Sequence, residues 1–318
     1  MHSRLFLAQS SEVGAPLSHS VPQPVQSYSA VCAFAVAGVG SKVARVGQNP
    51  DHRSTCLEPP HRMRDLERRI GKAAIEIRAD ARNPIFLICD HASNRIPPEY
   101  GDLGLSPAEL EDHVAWDIGA ADITRVLSAE LGAPAVLGAV SRLVVDLNRR
   151  PEVPDVIPTV THGVRISGNE MLSAPERSSR FQRFYDPYHE AIDRLLARSD
   201  ATVVVSIHSF SHDLDRASRD FDVGLLFDEF EPLARSFAQR LTLAGMRVRL
   251  NEPYSGRGRV ISSAQTHGRR YGLPNYEIEI NQRLLKSRTK AIAFGQKLVP
   301  AVGWLGKAAS EHVHTGRP

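Results

Sequence analysis

Long apolar runs are missing from this 318-residue chain. No stretch approaches the roughly 18–20 apolar residues of a membrane-spanning helix, so none is expected. Cysteine is scarce: Cys32, Cys56 and Cys89 are odd in number and widely spaced. That pattern excludes a disulfide framework and a CxxC zinc module, and it points to a reducing, cytoplasmic compartment. An excess of one charge is also missing, with 39 Lys and Arg against 36 Asp and Glu and a net charge of +3. No block of like charge forms a polybasic arm, so neither nucleic acid nor a membrane surface is an expected partner. The Gly-x-Ser-x-Gly elbow, the Walker loop and the dinucleotide fingerprint are absent, which leaves nucleophilic serine, nucleotide and hydride chemistry without support.

Residues 1–62 differ from everything after them: they are rich in Ser and Pro, lack Ile and show no helical or strand periodicity. Such a composition buries too little apolar surface to offset its ordering entropy. A disordered N-terminal extension over 1–62 is expected, with Met63 a natural alternative start. The short apolar run at 31–39 lacks the basic segment directly before it that a secretory signal would carry. A single α/β domain is expected over 63–310 and a flexible tail over 311–318.

Within that domain Ile85–Cys89 and Val203–Ile207 are continuous apolar runs of strand length. Leu143–Leu147, Val223–Phe227, Arg247–Leu250 and Tyr276–Ile280 are read as further strands. Ser106-Pro107 opens a helix by a capping box, and its apolar stripe Ile123, Leu127 and Leu131 ends at Gly132. Helices are expected over Ser178–Ala197, over Pro232–Ala244, and to about Leu298 with Pro300 as the stop. Strands alternating with helices imply a mostly parallel mixed central sheet covered on both faces.

In such sheets a ligand sits outside the carboxyl ends of the strands. There the first run leads into Asp90-His91 and the second into His208-Ser209. Glu277 and Glu279 share one strand face, opposite Tyr276, Ile278 and Ile280. Two imidazoles and a carboxylate at one edge suit a divalent metal and a general base. The bland readings stand beside this one: a histidine at a strand end as a surface hydrogen-bonding residue, and the two glutamates as the solvated side of an edge strand. Asp146 needs a cationic partner if buried, with Arg142 and Arg149 within reach. Phe181, Phe184, Tyr185 and Tyr188 at helical spacing read as core packing ahead of a substrate box.

Seven blocks in order carry a resemblance. They are Asp90-His91-Ala92-Ser93-Asn94 with Pro97, His113-Val-Ala-Trp-Asp117-Ile-Gly119, and Ser141-Arg142-Leu-Val-Val-Asp146-Leu-Asn148-Arg149. Tyr185-Asp-Pro187-Tyr188-His189, Ser206-Ile-His208-Ser209-Phe210, Asn251-Glu-Pro253-Tyr254 and Glu279-Ile-Asn281 complete the set. Together they resemble the N-formylglutamate amidohydrolase family over about residues 80–290.

The resemblance implies a zinc-carboxypeptidase-like fold and a hydrolase releasing formate from an N-formyl amino acid such as N-formyl-L-glutamate, within histidine degradation. It implies Zn2+ or another divalent metal held by His91, Asp117 and His208, with Glu279 as general base. Arg142, Asn148 and Arg149 are implied to bind a substrate carboxylate. The place three residues after the first histidine, where a carboxypeptidase-type site takes its second ligand, holds Asn94; Asp117 and Asn94 both remain open as the third ligand. The chain reads DHAS where formylglutamate enzymes read PHSG, which leaves open an amidase of another N-acyl amino acid and a metal-free binding protein.

Overall fold

The apolar runs at 85–89, 203–207 and 276–280 form the centre of an eight-stranded mixed sheet. In the computed structural model the described residues are 67–70, 73–77, 79–212, 219–258 and 263–315, all within one compact unit. The extension expected over 1–62 lies outside them. The strands in chain order are β1 (Glu67–Ile70), β2 (Ala74–Ile77), β3 (Ile85–Cys89), β4 (Ala135–Gly138), β5 (Val160–Thr161), β6 (Val164–Arg165), β7 (Val203–Phe210), β8 (Val223–Leu226), β9 (Val248–Leu250) and β10 (Asn275–Asn281). β5 and β6 make a separate hairpin, and the others lie in the order β1-β2-β4-β3-β7-β10-β8-β9. The central strands β4, β3, β7 and β10 run parallel, whereas β1, β2 and β4 pair antiparallel and β8 runs antiparallel to β10.

The described residues hold seven α-helices: α1 (Pro107–Glu111), α2 (Ala120–Leu131), α3 (Ala174–Arg180), α4 (Asp186–Leu196), α5 (Glu231–Leu243), α6 (Ser263–Arg270) and α7 (Arg288–Thr315). Period-two alternation divides the strand residues between two cores. Ile85, Leu87, Val203, Val205, Ile278 and Ile280 pack with Leu127 of α2, Phe237 of α5 and Leu298 of α7. On the other face Phe86, Ile88 and Val204 pack with Tyr188 and Ile192 of α4 and Ala264 of α6. Each fully buried large apolar side chain contributes about 1.5–3 kcal/mol. Among the described residues no helix is long and apolar enough to cross a membrane.

Four readings of the sequence need correction. The stretch read as one helix from Ser106 to Gly132 is two, α1 and α2, separated by residues 112–119. Leu143–Leu147 is not a strand but a buried turn segment, in which Leu143, Val144, Val145 and Leu147 are fully inaccessible. Its polar backbone is satisfied by other groups: Asn169 Nδ2 donates to the Leu143 carbonyl (2.8 Å), Arg180 to that of Val144 (3.0 Å), and the Asp146 N–H donates to Val156 (2.7 Å). With those partners the segment needs no ladder. Pro300 does not stop the last helix, which runs on to Thr315 and takes in residues read as tail. A proline inside a helix costs about 3 kcal/mol, but Leu298, Val302, Leu305 and Ala309 are buried on both sides of it and outweigh that. The helix expected over 178–197 starts earlier, at a Ser173–Glu176 capping box, and widens into a π-helical turn over Phe181–Tyr185 between α3 and α4. The short strands β1, β2 and β4 and the polar helix α6 carry too little periodicity to be found in the sequence.

Candidate active site

Parallel pairing brings three strand ends to one edge. In register, His208 of β7 lies opposite Glu279 of β10 and Ser206 opposite Glu277, while Ile88 of β3 pairs with Ser206. Asp90 and His91 therefore leave β3 beside His208. β10 is flanked by β7 and β8, so its glutamates lie on the face of an interior strand, and both are buried (4% and 5% exposed). Gly224 on β8 faces Glu279 in register and leaves room for it; a Cβ there would stand 1.9 Å from the Glu252 carbonyl oxygen.

These residues floor a cavity of about 370 Å³. Every residue assigned a role from the sequence lines it: His91, Asp117, Arg142, Asn148, Arg149, His208 and Glu279. Asn94 does not line it; its amide donates to the Leu110 carbonyl (3.0 Å). Glu277, Asp146 and Tyr254 line the cavity too, and the loop after Arg149 adds Arg150, Val153 and His162 to its lining. The last three escaped the sequence reading because no periodicity or spacing marks a loop residue that folds back over a strand end.

The hydrogen bonds are specific. Asp146 Oδ1 holds His91 Nε2 at 2.7 Å, leaving His91 Nδ1 buried with no hydrogen-bond partner, 3.6 Å from Asp117 Oδ2. His208 Nδ1 lies 2.8 Å from the same Asp117 oxygen, and its Nε2 lies 3.1 Å from Asp90 and 2.9 Å from Ser206. Asp117 also accepts from Arg142 and from the Ser209 N–H (3.2 Å). Asn148 donates to Glu277 (3.2 Å), while Glu279 Oε2 is buried and unpartnered. Asp146 thus takes its salt bridge from Arg149 (3.1 Å), and Arg142 serves Asp117 instead. Tyr188 donates to Asp90 and Tyr185 to the Arg149 carbonyl, both at 2.9 Å. The aromatic cluster is core that steers the site from behind, and none of it lines the cavity.

Charge is unbalanced here. Burial opposes charging His208, but Glu277, Asp90 and Glu279 outweigh it and lift the imidazole to about 10. Burial raises Glu277 and, with Glu277 beside it, pushes Glu279 up to about 8. His91 is lowered, first by burial and then by Arg142, so its ring is neutral at pH 7. Carboxylates that resist ionisation and a histidine forced to carry a proton mark a floor short of positive charge.

The donor set suits a divalent cation. Ligand atoms of His91, Asp117 and His208 lie within 4.8 Å of one another, and so do those of His208, Glu277 and Glu279. The orphaned His91 Nδ1, with its other nitrogen held by a carboxylate, is the arrangement that metal-binding histidines adopt.

A family model for N-formylglutamate amidohydrolase matches residues 83–286, a span that holds all seven motif blocks. The crystal structure of a gene product from Agrobacterium tumefaciens is 34% identical, covers 77% of this chain and 97% of that one, and has a TM-score of 0.70. The chain belongs to the N-formylglutamate amidohydrolase family. The crystal structure of N-formylglutamate amidohydrolase from Ralstonia eutropha JMP134 shares the fold, at 21% identity and a TM-score of 0.53, over 77% of this chain and 100% of that one. No curated protein matches the chain. Membership in this amidohydrolase family supports hydrolysis of the amide of an N-acyl amino acid.

Proposed function

We propose that this protein is a metal-dependent amidohydrolase that cleaves the amide of an N-formyl amino acid such as N-formyl-L-glutamate, giving formate and the free amino acid. The observation that carries this reading is the pair of buried, unpartnered atoms at one floor, His91 Nδ1 and Glu279 Oε2. One suits a metal ligand and the other a proton acceptor.

His91, Asp117 and His208 would hold the cation. When bound, such a cation polarises an amide oxygen and lowers the pKa of a water from about 15.7 towards about 7. Glu279 accepts the proton of the attacking water as its oxygen bonds to the formyl carbon. The same carboxyl then delivers that proton to the amine nitrogen as the C–N bond breaks. Arg142, Asn148 and Arg149 line the same cavity and orient a substrate carboxylate, so that the scissile amide rests over the floor.

The test is a formate-release assay on N-formyl-L-glutamate with metal-replete protein, run with and without chelator. Chelator-sensitive release is expected. No release from any formyl-, acetyl- or succinyl-amino acid, with no bound metal, would make the protein a binder of such compounds instead.

A further inference from the structure

Three arginines line the cavity, and two are already engaged by carboxylates. Arg142 donates to Asp117, and Arg149 donates to both Asp146 and Asp155. Arg150 is half-buried and lines the same wall, yet among the described residues its guanidinium makes no hydrogen bond or ion pair. A half-buried cation with five donors uncommitted is an unfilled anion site. An incoming carboxylate there breaks no existing pair, whereas at Arg142 or Arg149 it would compete with aspartates in place.

The position decides which anion. Arg142 and Asn148 both reach the floor, through Asp117 and Glu277. An α-carboxylate shares its Cα with the scissile nitrogen and falls within their range. A distal carboxylate stands farther along the side chain and needs a further cation on the cavity wall, and Arg150 lines that wall with Val153 and His162. Arg150 also lines a second cavity with Glu152, Asp186, Glu190, Asp193 and Arg270.

Resting on the proposed reaction for what occupies the cavity, we infer that Arg150 is the specificity-determining residue that reads the acidic side chain of the substrate. It selects N-acyl amino acids with a distal carboxylate over their neutral isosteres.

L-glutamate and L-glutamine differ only at that distal group, and as reaction products neither is turned over. Calorimetric titration of the full chain with each gives the preference directly. Wild type is expected to favour glutamate, R150A to lose that preference by roughly tenfold or more, and R150K to keep most of it. A preference unchanged in R150A, or none in wild type, overturns the assignment. Circular dichroism of R150A and R150K confirms that a lost preference is not lost folding. Formate release by wild type is measured separately. No release alongside an Arg150-dependent preference would overturn the hydrolytic reading and leave this one standing.

Discussion

Two buried histidine pairs in this chain sit in opposite electrostatic settings. His91 and His208 have ring centroids 5.0 Å apart, and His189 and His267 have theirs 5.2 Å apart. The first pair faces Asp90, Asp117, Asp146 and Glu277, and His208 is lifted to about 10. The second has one carboxylate, Asp193, bonded to His267 at 2.8 Å and also paired with Arg270. There burial and the neighbouring His267 push His189 down to about 4. Identical rings therefore differ in proton affinity because of the carboxylates around them. The anion-rich pair opens into the cavity and is built to take up a cation. The balanced pair is bonded ring to ring at 2.9 Å and lines a second cavity, and His189 packs at a tilt against Tyr185, which holds the Arg149 carbonyl.

The strongest test of that contrast removes a member of the anion-rich pair. His208→Ala is expected to abolish metal binding and activity together. Stability should also fall by about 3–5 kcal/mol, because Asp90 and Asp117 lose a buried charged partner. Metal content and urea denaturation check both. Stoichiometric zinc in the variant would move the metal site elsewhere.

Glu279→Gln separates proton transfer from metal binding. Turnover should drop by about a hundredfold or more with metal content and substrate affinity kept, as for general-base removal. Glu277→Gln is the control, since Glu277 already accepts a hydrogen bond from Asn148 while Glu279 Oε2 has none. A dead Glu277→Gln beside a normal Glu279→Gln would exchange their roles.

The second pair predicts an acid-sensitive stability. Unfolded, His189 takes its proton near 6.5; folded, only near 4. Between those values the unfolded chain binds more protons, so stability is fully present above 6.5 and declines as pH falls towards 4. The loss is on the order of 3 kcal/mol. Denaturation midpoints of wild type and His189→Gln across that window measure it, and equal slopes would break the contrast between the pairs.

The smallest effect is expected from deleting residues 1–62, whose composition offers no periodic apolar face. Melting temperature and turnover should stay essentially unchanged. A large fall in either would show that both pairs depend on a segment their own elements do not contain.

Much of this was legible in the residues. His91 and His208 close the two most apolar runs, and the shared face of Glu277 and Glu279 follows from strand parity, which needs no tertiary information. The seven blocks marked the family and, through it, Asp117. Leu143–Leu147 was misread because burial alone looks the same in a strand and in a turn held by Asn169 and Arg180. Pro300 was misread because a local penalty says nothing of the packing on either side.

The division between sequence and tertiary structure follows from range. Local periodicity determined which runs become strands, which side chains share a face, and which titratable groups end at the sheet edge. Those properties depend on backbone geometry over a few residues. The freeing of His91 Nδ1 by Asp146 and the engagement of Arg142 and Arg149 with Arg150 left over were decided by the fold. His208 and Asp117 lie 91 residues apart, and His91 and Asp146 lie 55 apart. Pairings at that separation arise from the order in which strands assemble and from the loops that fold across their ends, and no local pattern encodes them.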